Sequence, residues 1–153
     1  MSPTASRPST HSDGDLPDQV GDLLLPPDVS GPLPVVVLVH GGFWREPYRR
    51  DTLAPFAAAI TAKGYATWSV EYRRVGASAG GYPQTTDDVL AAFDVLPNLS
   101  ASLDLDRVTV VGHSAGGHLA LWLAAHRRLA GVVSLAGVAT SWPPTSSTSA
   151  TTR

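Results

Sequence analysis

Hydrophobic and polar residues are grouped along this chain in blocks of helix or strand length. Five stretches have the length and composition of strands: 20–25, 35–39, 66–70, 107–111 and 131–136. Three stretches carry apolar residues at helical spacing: 50–63, 84–96 and 116–127. A continuous apolar run such as 35–39 is typical of a strand that is buried on both faces. The alternation of strands and helices therefore predicts an α/β fold with a parallel, doubly wound sheet.

The two ends of the chain have a different composition from this middle part. Residues 1–15 are rich in Ser, Thr, Pro and other polar types, which predicts a disordered N-terminal tail. Residues 140–153 are rich in Ser and Thr without apolar periodicity, which predicts a second disordered tail. The expected domain is therefore a single one, over residues 16–139.

The segment Gly112-His113-Ser114-Ala115-Gly116 stands between a predicted strand and a predicted helix. It has the form G-x-S-x-G, which alone is a weak pattern. Between a strand and a helix it predicts a sharp turn that lifts the Ser114 hydroxyl above the sheet edge. The glycines on either side leave room for the turn. The first N–H groups of the helix then point beside the hydroxyl, an arrangement suited to a nucleophile whose reaction develops an oxyanion.

A second glycine-containing segment, His40-Gly41-Gly42-Phe43-Trp44, follows the predicted strand at 35–39. Taken alone, it is best explained as a turn that leaves a strand. Because active sites of parallel α/β sheets lie at the carboxyl ends of the strands, it is expected on the same side of the sheet as Ser114. Acyl transfer requires N–H donors for the oxyanion, and we expect them from Ala115 and from Gly41 and Gly42.

With these two motifs the chain resembles the α/β-hydrolase superfamily, and within it the esterase/lipase and kynurenine-formamidase-like branch. Tyr72-Arg73 and Tyr82-Pro83 are similar to further segments of that branch, and the resemblance covers about residues 20–139. It implies that strands 35–39 and 107–111 are neighbours. It also implies a serine hydrolase acting on small-molecule carboxylic esters or on amide and formamide bonds, without metal or organic cofactor. Phe43 and Trp44 are the expected lining of the substrate pocket.

The chain departs from the superfamily pattern after Ser114. The superfamily order is Ser, then Asp or Glu, then His, but the last acidic residue here is Asp106. The only later histidines are His118 and His126, which the helical pattern assigns to packing and to the end of a helix. We therefore expect little or no turnover. The resemblance further implies a sheet that is incomplete on its C-terminal side, as in a truncated product, because the pattern stops after the strand at 131–136, which corresponds to the sixth strand of the superfamily.

The remaining polar residues near the motifs are expected to have structural roles. His40 is predicted to brace the glycine loop by hydrogen bonding, and the His113 side chain to point away from the site. Asp87 and Asp88 are expected at a helix start, with Asp88 supported by the resemblance as an anchor. Arg73 is expected to be structural rather than substrate-binding.

Composition excludes several other classes of function. The 153 residues carry a net charge of −2 without a basic stripe, so no nucleic-acid partner is expected. Cysteine is absent, which excludes disulfides and thiolate metal sites. No secretory signal and no apolar run of membrane-spanning length is found, so a cytoplasmic protein without a membrane partner is expected. A phosphate-binding loop is disfavoured because G-K-[ST] is absent.

One alternative to the hydrolase remains open. A non-catalytic protein, derived from the same fold and binding a partner or a small acyl ligand, fits the missing acid and base equally well. An apolar strand at the sheet edge would serve such binding. The sequence leaves the substrate and the oligomeric state undetermined.

Overall fold

A computed structural model of the protein describes residues 6–28, 30–100 and 102–137. These residues form a six-stranded sheet in the order β1-β2-β4-β3-β5-β6. The strands are β1 (Ser9–Ser12), β2 (Val20–Leu24), β3 (Leu33–Val39), β4 (Ala66–Val70), β5 (Leu103–His113) and β6 (Gly131–Leu135). The helices are α1 (Ala54–Thr61), α2 (Gln84–Asp94), α3 (Leu96–Leu99) and α4 (Ala115–His126), and a 3-10 turn, Arg50–Leu53, precedes α1.

The predicted α/β fold class is confirmed, with one refinement in the direction of the strands. Strands β4, β3, β5 and β6 are parallel, as predicted, and β3 lies between β4 and β5. Strand β2 pairs with β4 in the antiparallel direction, and β1 pairs with β2 in the same way. The sheet is therefore mostly parallel, with an antiparallel hairpin on one edge.

The alternation of side chains along β3 divides the core between the two faces of the sheet. Val35, Val37 and Val39 belong to the larger cluster, which includes residues of α2 and α4. Val36 and Leu38 point to the other face, where they pack with Ala57 of α1. Because both faces of β3 are covered, its sequence is a continuous apolar run rather than an alternating one.

The prediction of disorder over residues 1–15 was wrong for residues 9–12, which form strand β1. This segment is polar and does not alternate, so its sequence carries no strand pattern. It is held by tertiary contacts instead: it pairs along β2, Thr10 donates a hydrogen bond to Asp22 over 2.7 Å, and the His11 ring lies 6.2 Å from that of Trp68. Partner strands can thus order a segment whose own composition favours disorder.

The predicted helices differ from the observed ones mainly at their ends. The segment at 50–63 contains the 3-10 turn before α1, and the segment at 84–96 is followed directly by α3. Pro97 lies in the first turn of α3, where the missing N–H costs no hydrogen bond, so it starts this helix instead of ending the previous one. Among the described helices, none combines the length and the apolar character that crossing a membrane requires. The tail predicted at 140–153 lies outside the described residues.

Strand β6 forms one edge of the sheet and is much more exposed than its neighbour β5. Val132, Val133 and Leu135 retain 37%, 42% and 45% of their accessible surface, whereas Val110 of β5 retains none. Helix α4 covers one face of this region, while the far edge of β6 has no strand beside it among the described residues. This is the apolar edge that the sequence led us to expect.

Candidate active site

Ser114 occupies a tight turn between β5, which ends at His113, and α4, which begins at Ala115. Its backbone angles are φ 54° and ψ −117°, a strained conformation for a residue with a side chain. A β-carbon on Gly112 would overlap the carbonyl of Gly116, and one on Gly116 would overlap the carbonyl of Val39. The turn therefore requires glycine at both positions, for the steric reason inferred from the sequence.

Two backbone hydrogen bonds fix Ser114 at this turn. The Ser114 N–H donates to the carbonyl of Leu135 over 2.8 Å, and the Ser114 carbonyl accepts from the His118 N–H over 3.2 Å. The second bond belongs to the first turn of α4, whose leading N–H groups have no partner within the helix itself. The N–H of Ala115, the first residue of α4, is one of these groups and adjoins the serine.

The glycine loop after β3 lies directly beside this turn. Val39 pairs with Gly112 at the carboxyl ends of neighbouring strands, as the resemblance implied. A β-carbon built on Gly41 would lie 3.1 Å from the β-carbon of Ser114 and 2.6 Å from the carbonyl oxygen of His113. Gly42 has φ 113°, which disfavours any other residue there. The two predicted halves of the site are thus brought together.

A buried polar cluster supports the glycine loop from below, and it contains His40, Glu71 and Tyr72. His40 Nε2 lies 2.6 Å from Glu71 Oε1, and His40 Nδ1 lies 2.8 Å from the carbonyl oxygen of Gly41. The Tyr72 hydroxyl donates to the His40 carbonyl over 2.8 Å, and the two rings stack at 4.4 Å. The predicted bracing role of His40 matches these contacts.

The Glu71 carboxylate is fully buried among positive and donor groups. Burial raises its pKa, but the hydrogen bond and charge of His40, the Arg50 N–H and the Arg74 guanidinium together hold it below its ordinary value. Burial, followed by the nearby Glu71 charge, raises the pKa of the Tyr72 hydroxyl, so it remains a hydrogen-bond donor at neutral pH. The Glu71 carboxylate is thus a charged group enclosed by hydrogen-bond donors.

Phe43 and Trp44, the expected pocket residues, follow the glycines in left-handed backbone conformations with φ 54° and 59°. Phe43 is 65% exposed beside the loop. Trp44 is partly buried against the main core, and its ring meets the His118 ring edge-to-face at 5.7 Å. The two side chains therefore lie in different surroundings, one open to solvent and one packed below the loop.

Of the other histidines near the motifs, His118 and His126 lie where their expected structural roles would put them, and His113 does not. His118 is buried in α4 against Trp44. His126 lies at the end of α4, stacks on Trp122 and hydrogen bonds its carbonyl oxygen over 2.7 Å. His113 is exposed and lines an apolar groove of about 200 Å³ together with Leu135 and residues of β3 and α1. Its Nδ1 would lie 3.2 Å from a β-carbon built on Gly41, so the prediction that its side chain points away from the site was wrong. The ring lies beside the glycine loop because β3 and β5 end side by side.

Asp88 and Arg73 form a second polar cluster, away from the turn. The Asp88 carboxylate accepts hydrogen bonds from the Arg73 N–H over 2.8 Å, from its guanidinium over 2.8 and 2.9 Å, and from Gln19 over 2.9 Å. These contacts agree with the anchoring role expected of Asp88 and the structural role of Arg73. Burial, and then the charge of Asp88, raises the pKa of nearby Asp13 to about 7. Asp87, by contrast, is exposed.

Sequence reasoning did not identify Glu71 as part of the site. A signal existed, because His40 and Glu71 each come directly after a predicted strand, and β3 and β4 pair with Val39 beside Val70. Residues that follow paired parallel strands lie side by side. In the described ranges, no group of three or more His, Cys, Asp or Glu side chains is arranged to hold a metal ion.

Comparison with known proteins agrees with this geometry. The BD-FAE family model matches residues 21–138. The carboxylesterase NlhH of Mycobacterium tuberculosis is 39% identical over 102 residues, which are 65% of this chain and 31% of that protein. The non-reducing polyketide synthase stbA of Stachybotrys bisbyi is 32% identical over 120 residues, 71% of this chain and 5% of the synthase.

Solved structures give the same relationship. An α/β hydrolase, MGS-M1, from a deep-sea metagenome library of the Medee basin superimposes with a TM-score of 0.72 at 26% identity, over 85% of this chain and 56% of that one. Esterase B from Lactobacillus rhamnosis, inhibited by a tributyrin phosphonate, superimposes with a TM-score of 0.70 at 27% identity. That match covers 77% of this chain and 39% of the esterase.

The chain spans 31% of the carboxylesterase, 39% of esterase B and 56% of the metagenomic hydrolase. The family match nevertheless covers well over half of its residues, from the second strand to the end of the described sheet. The chain therefore belongs to the BD-FAE family and has the esterase-like fold of the α/β hydrolases.

Proposed function

We propose that this protein is a serine esterase in which Ser114 is the nucleophile. The observation that carries the proposal is the strained turn at Ser114, with Gly41 of the neighbouring strand end against it. The hydroxyl of the half-buried Ser114 attacks the carbonyl carbon of an ester, the bond from that carbon to the alcohol oxygen breaks, and the alcohol leaves with the serine proton. Water then hydrolyses the acyl-enzyme, which releases the acid and restores the hydroxyl. The substrate class is carboxylic esters or related amide and formamide bonds.

In this mechanism the negative charge on the carbonyl oxygen is stabilised by backbone N–H groups. Ala115 supplies one donor from the start of α4, and the loop of Gly41 and Gly42 supplies the other. Each donor that is already in place when the charge develops stabilises the transition state by about 3 to 4 kcal/mol. Phe43 is the candidate contact to the substrate, because it projects into solvent beside these glycines.

Among the described residues around Ser114, we expect none to act as its acid and base, because the His40–Glu71 pair is buried and braces the glycine loop. His118 is occupied with Trp44, and the 153 residues hold no Asp or Glu after Ser114. An oxyanion hole without its base retains only a residual acceleration, about 10³- to 10⁴-fold over water. We expect these 153 residues on their own to acylate slowly and to turn over very little.

The test is labelling of the 153-residue chain by a fluorophosphonate and by an activated acyl ester, with the site located by mass spectrometry. Slow labelling of Ser114, lost in Ser114→Ala and kept in the matched control Ser12→Ala, supports the proposal. Equal labelling of the wild type and Ser114→Ala would refute the nucleophile. Rapid, complete labelling with sustained turnover would refute the expectation of weak activity.

A second candidate function, non-catalytic binding through the sheet edge, is favoured by one observation. Val132, Val133 and Leu135 of β6 are exposed at that edge. Size-exclusion chromatography with light scattering discriminates between the two candidates. A stable, monodisperse assembly without acylation of Ser114 favours binding, whereas a labelled monomer favours the esterase.

A further inference from the structure

The side chain of Tyr48 lies directly against Gly42 of the glycine loop. A β-carbon built on Gly42 would overlap the Cβ, Cγ and Cδ2 atoms of Tyr48, so the tyrosine occupies the space that a side chain at position 42 would fill. Tyr48 nevertheless keeps 47% of its accessible surface. One part of the residue is therefore packed on the loop, and another part is open to solvent beside it.

Hydrogen bonds fix the backbone between these two residues. The Arg45 N–H donates to the Gly42 carbonyl over 3.0 Å, and the Tyr48 N–H donates to the Arg45 carbonyl over 3.3 Å. The Arg74 guanidinium donates to the Tyr48 carbonyl over 2.7 Å and to the Glu46 carbonyl over 2.9 Å. The main chain thus holds Tyr48 in place against Gly42.

Arg74 is itself anchored by two carboxylates. Its guanidinium lies 3.0 Å from the Asp18 carboxylate and 3.8 Å from that of Glu71, and only 4% of the Arg74 side chain is accessible. Because this anchor is buried and paired on several sides, the main chain at Tyr48 cannot easily move aside. A wall that stays in place discriminates between ligands by the clashes it makes with some of them.

The position of Tyr48 matters for any ester whose carbonyl oxygen is bound by the Gly42 N–H. Such a hydrogen bond spans about 2.9 Å and a C=O bond about 1.2 Å, so the carbonyl carbon lies within about 4 Å of the Gly42 nitrogen. The groups attached to that carbon then extend beside whatever covers Gly42. The residue that covers it is Tyr48.

We propose that Tyr48 is a specificity-determining residue, whose ring forms a wall of the ester site and excludes acyl groups with a quaternary carbon next to the carbonyl. An unbranched acyl chain can lie flat along an aromatic face, whereas methyl groups crowded on one carbon collide with it. The inference rests on the proposed esterase function, because it concerns the substrate of Ser114. It deepens that function by naming the shape of the acyl group that the site accepts.

The experiment compares acylation of Ser114 by p-nitrophenyl butyrate, which is unbranched, and by p-nitrophenyl pivalate, which is fully branched beside the carbonyl. In each reaction the acyl group moves from the nitrophenol oxygen to Ser114, and nitrophenol leaves with the serine proton. Single-turnover rates are taken from nitrophenol release above that of Ser114→Ala, and mass spectrometry locates the acyl group. The selectivity is the butyrate rate divided by the pivalate rate.

We expect Tyr48→Ala to lower this selectivity about tenfold to a hundredfold, through faster acylation by pivalate, because a few methyl groups in a pocket have effects of that size. Tyr48→Phe keeps the ring and should keep the wild-type selectivity. The matched control is Tyr65→Ala, since Tyr65 is 40% exposed and precedes β4, at the opposite end of the sheet from Ser114. It should leave both rates unchanged.

A structural role alone would change the two rates by the same factor. Wild-type selectivity in Tyr48→Ala would therefore overturn the proposal, and so would a selectivity in Tyr48→Phe as low as in Tyr48→Ala. If Tyr48→Ala does not fold, Tyr48→Leu decides by the same criterion, because it keeps apolar cover on Gly42 and removes the ring.

The two proposals fail in different ways. If Ser114→Ala releases nitrophenol from both esters as fast as the wild type, the esterase function itself is refuted. If Ser114→Ala is inert and Tyr48→Ala keeps the wild-type selectivity, the esterase function stands and the role of Tyr48 is refuted.

Discussion

Strands β3 and β6 have similar apolar sequences, but β3 lies inside the sheet and β6 lies at its edge. In β3, residues 35–39 retain between 0% and 8% of their accessible surface, with helices on both faces. In β6, Val132 and Val133 retain 37% and 42%. The comparison teaches that an apolar run specifies a strand, whereas the neighbouring elements decide how deeply the strand is buried.

The same contrast applies to the glycines beside these strands. At Gly116 a β-carbon would overlap the end of β3, so the backbone approaches as closely as a glycine allows. At Gly131 of β6 the nearest atoms, in the Thr109 side chain, would be 3.3 and 3.6 Å away, a contact that the side chain can relieve. The backbone is therefore packed more tightly at the candidate site than at the start of β6.

The largest expected effect is that of Gly116→Ala. The new methyl group meets backbone rather than a flexible side chain, so we expect a loss of at least about 3 kcal/mol in the free energy of unfolding. The matched variant Gly131→Ala should change it by less than about 1 kcal/mol. Urea unfolding of both variants, followed by circular dichroism, measures the difference. Equal losses would contradict the contrast between the two regions.

The second-largest expected effect is the difference in unfolding free energy between truncating a valine in β3 and truncating one in β6. Val37→Ala removes methyl groups from a side chain that is 1% exposed, and should cost about 2 to 3 kcal/mol in unfolding free energy. Val133→Ala on β6 should cost under about 1 kcal/mol, because the side chain is already largely hydrated. Thermal and urea unfolding check both values. A comparable cost at the two positions would show that β6 is covered in solution.

The smallest effect concerns the opposite edge of the sheet, where Asp13 follows β1. Its pKa of about 7 in the folded protein lies above its ordinary value of 3.8, so ionising it opposes folding. Below about pH 4 the group is protonated in both states; its destabilising effect grows as pH rises toward 7 and is complete above that. Asp13→Asn should therefore stabilise the protein at pH 8 by about 1 kcal/mol, allowing for solvent screening.

The measurement for this last effect is the unfolding free energy at pH 4 and at pH 8. The matched control is Asp15→Asn, which neutralises an exposed carboxylate in the same loop. We expect a gain for Asp13→Asn at pH 8 only, and little change for the control at either pH. A gain at pH 4 of the same size would show that the effect is not one of ionisation.

Most of the parallel sheet could be predicted from the sequence because its strands are strongly patterned. The predicted strand at 66–70 coincides with β4. The turn at Ser114 could be located from Gly112 and Gly116, because a β-carbon at either position would overlap the backbone. Strand β1 was missed because its polar residues are ordered by contacts distant in the sequence. Glu71 was missed because its role depends on the pairing of two strands, which no local pattern records.

The hydrogen bond from the Ser114 N–H to the Leu135 carbonyl has a practical consequence for protein engineering. A reporter or affinity tag inserted near the end of β6 would disturb the acceptor that keeps the serine backbone in its unusual geometry. Insertions on the opposite side, ahead of Ser9, involve no atom of that bond. Fusion designs should therefore attach their linkers at the amino-terminal end and leave residues 134–136 unaltered.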